Sequence, residues 1–200
     1  MNELFPIFLK ADKINFLIVG GGKVALEKLF FLQKSSPNAK IELVALEILP
    51  EVFELLKKFP ESKLFHRAFS IDDLADKQIV IAATNNPLLN QRLRDLADQY
   101  KFLLNVADKP EYCDFYLGGI VTRGDLKIGI STNGKSPVLA KRIRQWLEAV
   151  LPDSIEKAIS LNHRLRKKQK GNLEEKVRKL NKLTEGLIKD RNKSLARFFY

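Results

Sequence analysis

Apolar and polar positions along the first 110 residues form blocks of two kinds. Short apolar runs of strand length recur at residues 14–19, 40–45, 63–66, 78–83 and 101–105. Between them, apolar residues have helical spacing at 23–34, 50–58 and 87–100. This order is typical of the α/β class with a doubly wound parallel sheet, so we predict a Rossmann-like domain at residues 1–110.

Residues 111–150 have a different pattern. Two apolar runs, 115–122 and 126–131, are joined by a short turn that contains glycine, and together they predict a β-hairpin. An amphipathic helix follows, with Ser136 as its N-cap and Pro137 at its first position. A hairpin and helix after a nucleotide-binding domain often build a dimer interface, so we expect a dimerisation segment here.

Residues 151–200 form the third predicted part, a basic helical domain with a break at Gly171. The whole chain has a net charge of +11, and this part holds 14 of the 35 Lys and Arg residues against 6 of the 24 Asp and Glu residues. Such a concentration of positive charge favours an anionic partner, which could be a nucleic acid, a membrane surface or a polycarboxylate substrate.

Composition narrows the class of protein further. With 45% hydrophobic and 30% charged residues the chain is predicted to be globular, and its one cysteine, Cys113, excludes a disulfide framework. No apolar segment approaches the length of about 20 residues that spans a membrane. The apolar start at Leu4–Leu9 lacks the basic region and the cleavage site of a signal peptide. We therefore expect a cytoplasmic protein that does not span a membrane.

The turn between the first strand and the first helix carries the strongest chemical signal. Gly20, Gly22 and Ala25 fit the G-x-G-x-x-A pattern of dinucleotide-binding turns. In that pattern the first glycine allows a tight turn, the second lets the backbone approach a pyrophosphate, and the small third residue lets helix and strand pack closely. Free N–H groups at the helix N-terminus then face the anion. The turn therefore predicts a dinucleotide site.

The residue that would bind the adenine ribose is less clearly marked. The usual acidic residue lies about 20 positions beyond the glycines, at the end of the second strand. Glu42 falls within the predicted strand and Glu47 just past it, while Val44-Ala45-Leu46 occupy the strand end. Spacing alone therefore leaves the choice between NAD and NADP open.

A second phosphate-binding pattern, G-x-x-x-x-G-K-[ST], occurs at residues 129–136. In a nucleoside-triphosphate loop the Lys and Ser lie in the first helical turn, but Pro137 disfavours a helical conformation at Ser136. The following sequence also predicts only helices, so no parallel strand could supply a magnesium-binding carboxylate. We therefore interpret this loop as a site that binds carboxylates through polar side chains and backbone N–H groups.

Candidate catalytic and ligand-binding residues occur at the predicted fifth strand and directly after it, in Asn105-Val106-Ala107-Asp108. Ligands of open α/β sheets bind beyond the carboxyl ends of the strands, so Asp108 could act as a general base or as an oxygen ligand of a transient metal ion. It could equally be a turn residue ahead of Pro110. Asn105 could orient a ligand or satisfy the backbone of the loop.

These patterns occur together in an order that resembles one family. The motifs are Phe5–Leu9, Val19–Ala25, Ile81–Thr84, Asn105–Asp108, Cys113–Phe115 and Ser131–Ala140. In this combination the chain resembles the precorrin-2 dehydrogenase/sirohydrochlorin ferrochelatase family, the N-terminal module of siroheme synthase, over residues 4–150. The resemblance implies NAD-dependent oxidation of precorrin-2 to sirohydrochlorin by a homodimer, followed in some members by insertion of ferrous iron.

The resemblance also implies roles for individual residues. Asp108 matches the family's key aspartate, which is implicated in both reactions. The residues expected to bind the cofactor are Gly20, Gly21, Gly22, Lys23, Val24, Leu46, Glu47, Thr84 and Asn105. The residues expected to bind the tetrapyrrole are Ser131, Thr132, Asn133, Lys135 and Ser136. The carboxylate arms of this substrate would give the basic excess an acidic partner without a nucleic acid.

Two other functions stay open at this point. One is a dehydrogenase that does not insert iron, and the other is a non-catalytic NAD-sensing regulator that binds DNA through its basic tail. No helix-turn-helix signature is visible in the sequence, and DNA binding would depend steeply on salt concentration.

Overall fold

The computed structural model describes residues 2–168 and 173–184. These residues fall into two compact units, of which the first contains residues up to Ile120 together with 129–144. The second contains 121–128 and the described residues from Gln145 onward. No helix in the described ranges has the length and hydrophobicity that a membrane crossing requires. The predicted break at Gly171 and residues 185–200 of the predicted helical domain lie outside the described residues.

The first unit is built on a parallel sheet of five strands in the order β3-β2-β1-β4-β5. The strands are β1 (Asn15–Gly21), β2 (Lys40–Ile48), β3 (Lys63–His66), β4 (Ile79–Ala82) and β5 (Leu103–Val106). β1 is the central strand, in which Ile18 pairs with Leu43 of β2 and with Ile81 of β4. This sheet confirms the predicted Rossmann-like α/β fold.

Alternate residues of β1 lie in two hydrophobic cores, because successive side chains of a strand point to opposite faces. Phe16 and Ile18 belong to one core, and Leu17 and Val19 belong to the other. Three helices cover the cores: α1 (Lys23–Ser35) and α2 (Pro50–Leu56) contribute to the first, and α3 (Pro87–Tyr100) to the second. With both faces buried, the strands need uninterrupted apolar runs, as the sequence has.

The end of β2 differs from the prediction. The strand continues to Ile48, whereas the sequence pattern places its end at residue 45. A shift in register between Val19 and Gly21 lets Gly21 pair with Ile48, and the Gly21 carbonyl then accepts a hydrogen bond from the N–H of Leu49 (2.9 Å). The last residues of β2 therefore lie beside the glycine turn.

The hairpin of β6 (Gly119–Arg123) and β7 (Leu126–Ile130) begins later than predicted. Phe115 and Leu117, which the pattern assigns to a strand, pack instead against the first core of the sheet. The turn of the hairpin is Gly124-Asp125. Gly124 has a φ of +55°, the positive value that the first residue of a type II′ hairpin loop requires.

Three further helices complete the described chain: α4 (Pro137–Val150), α5 (Ser154–Lys168) and α6 (Leu173–Thr184). Ser136 caps α4 as predicted, because its Oγ accepts a hydrogen bond from the N–H of Leu139 (3.3 Å). Within the second unit, Arg123 donates to the carbonyl of Glu148 (2.6 Å) and pairs with Asp153 (3.4 Å). These contacts tie the end of β6 to the last turn of α4 and to the segment between α4 and α5.

Candidate functional site

A cleft of about 1000 Å³ opens in the first unit at the carboxyl ends of β1, β2 and β4. Its lining includes eight of the nine residues predicted to bind the cofactor: Gly20, Gly21, Gly22, Lys23, Val24, Leu46, Glu47 and Thr84. In open α/β sheets ligands bind at this edge, and the volume is that of a small-molecule site. The cleft is therefore the candidate dinucleotide site.

The three glycines of the turn are needed for different reasons. Gly20 has a φ of +113°, and a Cβ there would run into the carbonyl of Ala83 after β4. A Cβ on Gly21 would collide with the carbonyl of Glu47. A Cβ on Gly22 would have no protein atom within 4 Å, since this position borders the cleft. The fold itself requires Gly20 and Gly21, whereas Gly22 leaves room for a ligand.

The N-terminus of α1 suits an anion. Gly22 is its N-cap, no side chain accepts a hydrogen bond there, and the first turn contains no acidic residue. Such a helix end offers N–H groups and a partial positive charge of about half an elementary charge to a phosphate. Ala25, the third small residue of the pattern, is fully buried against the sheet. The residues at this end of the cleft therefore fit a dinucleotide pyrophosphate.

Glu47 lies at the end of β2, where dinucleotide-binding domains have the acidic residue that binds the adenine ribose. Because β2 runs to Ile48, Glu47 is part of the strand and does not lie past it. Beside it, Leu46 keeps 68% of its surface exposed and also lines the cleft. Nε2 of His66 lies 2.8 Å from the Leu46 carbonyl and fixes this strand end. The structure thus removes the objection that spacing raised against Glu47.

Thr84 lies on the opposite side of the glycine turn, in the loop after β4. Its Oγ1 accepts a hydrogen bond from the N–H of Asn86 (2.8 Å), and its carbonyl accepts one from Nδ2 of Asn90 (3.2 Å). Asn86 in turn caps α3 by accepting a hydrogen bond from the N–H of Leu89 (3.1 Å). These contacts hold the loop in a defined position at the cleft.

The cleft is also lined by residues that the sequence patterns did not predict, including Arg67, Phe69 and Arg92. Arg67 forms a two-armed ion pair with Asp73, whose side chain is only 6% exposed. The hydrogen bond from Arg67 holds the pKa of Asp73 below its ordinary value, although burial alone would raise it. Arg67 directly follows the carboxyl end of β3, so the rule that pointed to Asp108 could also have pointed to Arg67.

Asp108 lies in the turn after β5 and is not part of the cleft's lining. The residue is exposed, and its φ of +57° is in the left-handed region. Residues other than glycine seldom adopt this conformation, although aspartate tolerates it better than most, and such strained positions are often functional. Across the described residues, no group of three or more His, Cys, Asp or Glu side chains is placed to hold a metal ion.

Cys113 and Asn105 hold the turn that contains Asp108. Sγ of Cys113 accepts a hydrogen bond from the N–H of Val106 (3.2 Å) and lies 3.3 Å from the carbonyl oxygens of Val106 and Lys109. Burial raises the pKa of the Cys113 thiol, which therefore stays protonated at neutral pH. Asn105 is buried and donates to the carbonyl of Phe115 (2.8 Å). Its amide thus satisfies loop backbone and does not border the cleft.

The loop predicted to bind the tetrapyrrole has its own hydrogen bonds. Oγ of Ser131 accepts one from the N–H of Asn133 (3.1 Å), and Thr132 Oγ1 exchanges two with the backbone of Ser136 (3.1 and 3.2 Å). Lys135 is exposed. Ser136 precedes α4 and is not in its first turn, so this loop lacks the arrangement of a nucleoside-triphosphate loop. None of these residues lines the cleft of the glycine turn.

A family model described as "Putative NAD(P)-binding" matches residues 7–119, which contain the whole sheet and the cleft. The chain belongs to this family. The dinucleotide site expected from the glycine turn, and the nicotinamide cofactor that the resemblance implies, are thereby confirmed. A second family model, described as "Sirohaem biosynthesis protein central", matches residues 123–149.

Curated proteins similar to this chain include siroheme synthases. The chain is 38% identical over 155 residues to the siroheme synthase of Zymomonas mobilis, and 33% identical over 196 residues to that of Ruthia magnifica. These matches cover 78% and 96% of this chain but 32% and 40% of the relatives. The chain thus spans about a third of the length of the curated relatives it matches.

A solved structure described as "SirC, precorrin-2 dehydrogenase" has the same fold. Its TM-score with this chain is 0.69 at 22% sequence identity, and the match covers 90% of this chain and 89% of that one. This likeness concerns the fold, whereas the second family model and the siroheme synthase relatives confirm the resemblance to sirohaem biosynthesis proteins that the motifs indicate.

Proposed function

We propose that the chain catalyses the NAD-dependent dehydrogenation of precorrin-2 to sirohydrochlorin, a reaction of siroheme biosynthesis. The observation that carries this proposal is the combination, in one chain, of an NAD(P)-binding unit and a segment that matches sirohaem biosynthesis proteins. The siroheme synthase relatives and the similarity to a precorrin-2 dehydrogenase support the same reaction.

The cleft would hold NAD through its backbone at one end and a carboxylate at the other. Gly20–Gly22 and the uncapped N–H groups of α1 would bind the pyrophosphate. Glu47 would accept hydrogen bonds from the hydroxyls of the adenine ribose, and its charge would repel a 2′-phosphate, so we propose NAD over NADP. Lys23, Val24, Leu46 and Thr84 would complete the walls. When bound, NAD supplies the hydride acceptor.

Asp108 would accept the proton that the oxidation releases. Dehydrogenation of precorrin-2 removes two hydrogens with two electrons, one hydrogen as a hydride and the other as a proton. A carboxylate oxygen of Asp108 can take this proton, because the side chain is exposed at the sheet edge where ligands bind. The contacts of Cys113 hold the turn and therefore keep this base in a constant position.

The loop at residues 131–136 would bind the carboxylate arms of the tetrapyrrole. Lys135 offers an exposed cation, and Ser131, Thr132, Asn133 and Ser136 offer hydroxyl, amide and backbone donors. A single exposed ion pair contributes only about 0–1 kcal/mol, so several contacts have to act together on a polyanion. The excess of Lys and Arg from residue 151 onward adds a longer-range attraction for the same substrate.

We further propose a cytoplasmic homodimer with the predicted parts 1–110, 111–150 and 151–200. Phe5 and Phe8 keep 85% and 70% of their surfaces exposed, and the neighbouring Ile7 and Leu9 about half. A contiguous exposed apolar segment is a feature of interaction surfaces. Sedimentation equilibrium tests the dimer: we expect twice the chain mass of 22.9 kDa, and a value equal to the chain mass would contradict it.

The reaction is tested by incubating the protein with precorrin-2 and NAD and following NADH by its absorbance. We expect NADH to accumulate together with sirohydrochlorin, and the absence of both would refute the proposal. Insertion of ferrous iron, the second reaction implied by the resemblance, remains a prediction that requires sirohydrochlorin and ferrous iron as substrates. A regulator that binds DNA would instead give no turnover and a DNA affinity that falls steeply with salt.

A further inference from the structure

Arg67 lies at the end of the cleft proposed to hold the adenosine, and the proposed reaction assigns no role to it. It is one residue past β3, and β3 pairs in register with β2, so that His66 is opposite Ala45. The chain therefore brings Arg67 beside Leu46 and Glu47, and all three residues line the cleft. This is the side of the glycine turn at which the acidic residue of a dinucleotide site binds the adenine ribose.

The guanidinium of Arg67 is held from several directions. Both terminal nitrogens donate to the carboxylate of Asp73, and NH1 also donates to the carbonyl of Ala68 (3.0 Å). Asp73 is itself fixed, because it accepts a hydrogen bond from the N–H of Ser70 (2.8 Å) and is almost fully buried. The guanidinium carbon lies 5.0 Å from the centre of the Phe65 ring. Arg67 is thus a planar group fixed in place before any ligand arrives.

This arrangement suits a planar base better than a phosphate. The charge of Arg67 is already balanced by Asp73, and Glu47 lines the same cleft, so a 2′-phosphate placed beside Arg67 would also lie near acidic side chains. Phe65 lies against one side of the guanidinium, while 45% of the Arg67 side chain remains exposed. Guanidinium groups stack on aromatic ring faces, and adenine presents such a face.

We propose that Arg67 stacks on the adenine ring of the dinucleotide, so that its guanidinium contacts the base and does not bind a 2′-phosphate. Asp73 and Phe65 act through Arg67, as positioning residues that keep its guanidinium flat against the bound base. This inference rests on the proposal that the cleft holds NAD.

Calorimetric titration of the whole protein with NAD, NADP and ADP tests the inference. ADP contains the adenosine end but not the nicotinamide, so Arg67→Met should weaken the binding of NAD and of ADP by the same factor, about 5- to 10-fold. Arg67→Lys keeps the charge but loses the planar group, and we expect it to weaken both ligands nearly as much. Lys57→Met is the matched control, because Lys57 also contacts an aromatic ring, that of Phe53 at 4.0 Å, and pairs with Glu54 outside the cleft.

The role of Asp73 is tested in a double-mutant cycle. Asp73→Asn should weaken NAD binding in the wild-type background. It should have no further effect in the Arg67→Met background, because Asp73 acts only through the side chain of Arg67. A merely structural contribution of Asp73 would weaken NAD equally in both backgrounds.

Three results would overturn the inference. Arg67→Met could bind NAD and ADP with wild-type affinity, or Arg67→Lys could retain wild-type affinity, which would make charge the operative property. The wild-type protein could also bind NADP more tightly than NAD, and this measurement stands even if a variant does not fold. None of these titrations needs the tetrapyrrole, so failure of the proposed reaction would be recognised separately, by NAD binding without turnover.

Discussion

Arg94 and Asp114 join helix α3 to the segment that follows the Asp108 turn. NH1 of Arg94 lies 2.8 Å from one carboxylate oxygen of Asp114, and the other oxygen accepts a hydrogen bond from the N–H of Leu104 (2.8 Å). NH1 of Arg94 also donates to the carbonyl of Tyr112 (3.0 Å). Asp114 thus connects α3, β5 and the chain around Cys113.

We expect Asp114→Ala to lower the free energy of unfolding by about 2 kcal/mol, because it leaves the N–H of buried Leu104 without its acceptor. Asp98→Ala is the matched control, since Asp98 also pairs with Arg94 (2.8 Å) but keeps 79% of its side chain exposed. Its loss should cost no more than about 0.5 kcal/mol. Urea denaturation measures both values, and equal losses would contradict the role assigned to Asp114.

The glycine turn predicts opposite outcomes for two similar substitutions. Gly20→Ala should destabilise the protein by at least about 2 kcal/mol, since alanine is strained at a φ of +113° and would collide with the Ala83 carbonyl. Gly22→Ala should retain the wild-type melting temperature, because its Cβ meets no protein atom. It should nevertheless weaken NAD binding about tenfold or more, because the methyl group occupies the space in front of the α1 N–H groups.

Thermal melting and NAD titration of both variants separate these effects. A Gly22→Ala protein that binds NAD with wild-type affinity would show that the open space at Gly22 is not the pyrophosphate site.

The sheet could be predicted from the sequence because each of its strands is an apolar run with a helix or turn at its ends. Features that depend on strand register or on tertiary contacts could not be predicted in this way. β2 continues through Glu47 only because Gly21 pairs with Ile48, and neither residue type reveals this register. Phe115 is of a residue type that favours strands, but its side chain packs against the core of the sheet and its carbonyl accepts a hydrogen bond from Asn105. It therefore lies outside the hairpin.

The candidate site also contains residues that the sequence predicts and residues that it does not. The spacing of the glycines predicts dinucleotide binding, and eight of the nine predicted cofactor residues line one cleft. Arg67 has no such spacing, because its significance comes from Asp73, which lies six residues further along the chain and meets it only in the folded loop. Asp108 likewise adopts its left-handed conformation in a turn that Cys113 contacts, and spacing does not predict that contact.

The pair of Arg67 and Asp73 predicts a loss of stability in acid. The hydrogen bond from Arg67 lowers the pKa of Asp73 in the folded protein below the ordinary value of 3.8. The pair therefore contributes its full stability above that value, and the contribution is lost as the pH falls through the folded-state pKa. Denaturant midpoints should separate wild type from Asp73→Asn at pH 7, and this separation should shrink as the pH falls below 3.8 and through the folded-state pKa of Asp73.

The exposed neighbour Asp72 supplies the control for this experiment. The difference between wild type and Asp72→Asn should stay small at every pH, since the ion pair with Arg67 is made by Asp73. A difference between wild type and Asp73→Asn that does not change with pH would contradict the account of the ion pair.

Asp108→Asn separates the charge of this residue from its backbone conformation. Asparagine also tolerates the left-handed region, so the turn with a φ of +57° should be retained. We expect kcat for precorrin-2 oxidation to fall by about 10²- to 10⁴-fold, the usual contribution of a general base, with the Kd of NAD unchanged. A wild-type rate in this variant would exclude Asp108 as the proton acceptor.

NAD-dependent oxidation of precorrin-2 is the function proposed for this chain. The most direct measurement is the amount of NADH formed by the purified protein from a known amount of precorrin-2, with sirohydrochlorin quantified in the same sample. We expect one NADH and one sirohydrochlorin for each precorrin-2 consumed. Binding of NAD by the same protein, with no NADH formed when precorrin-2 is added, would contradict the claim.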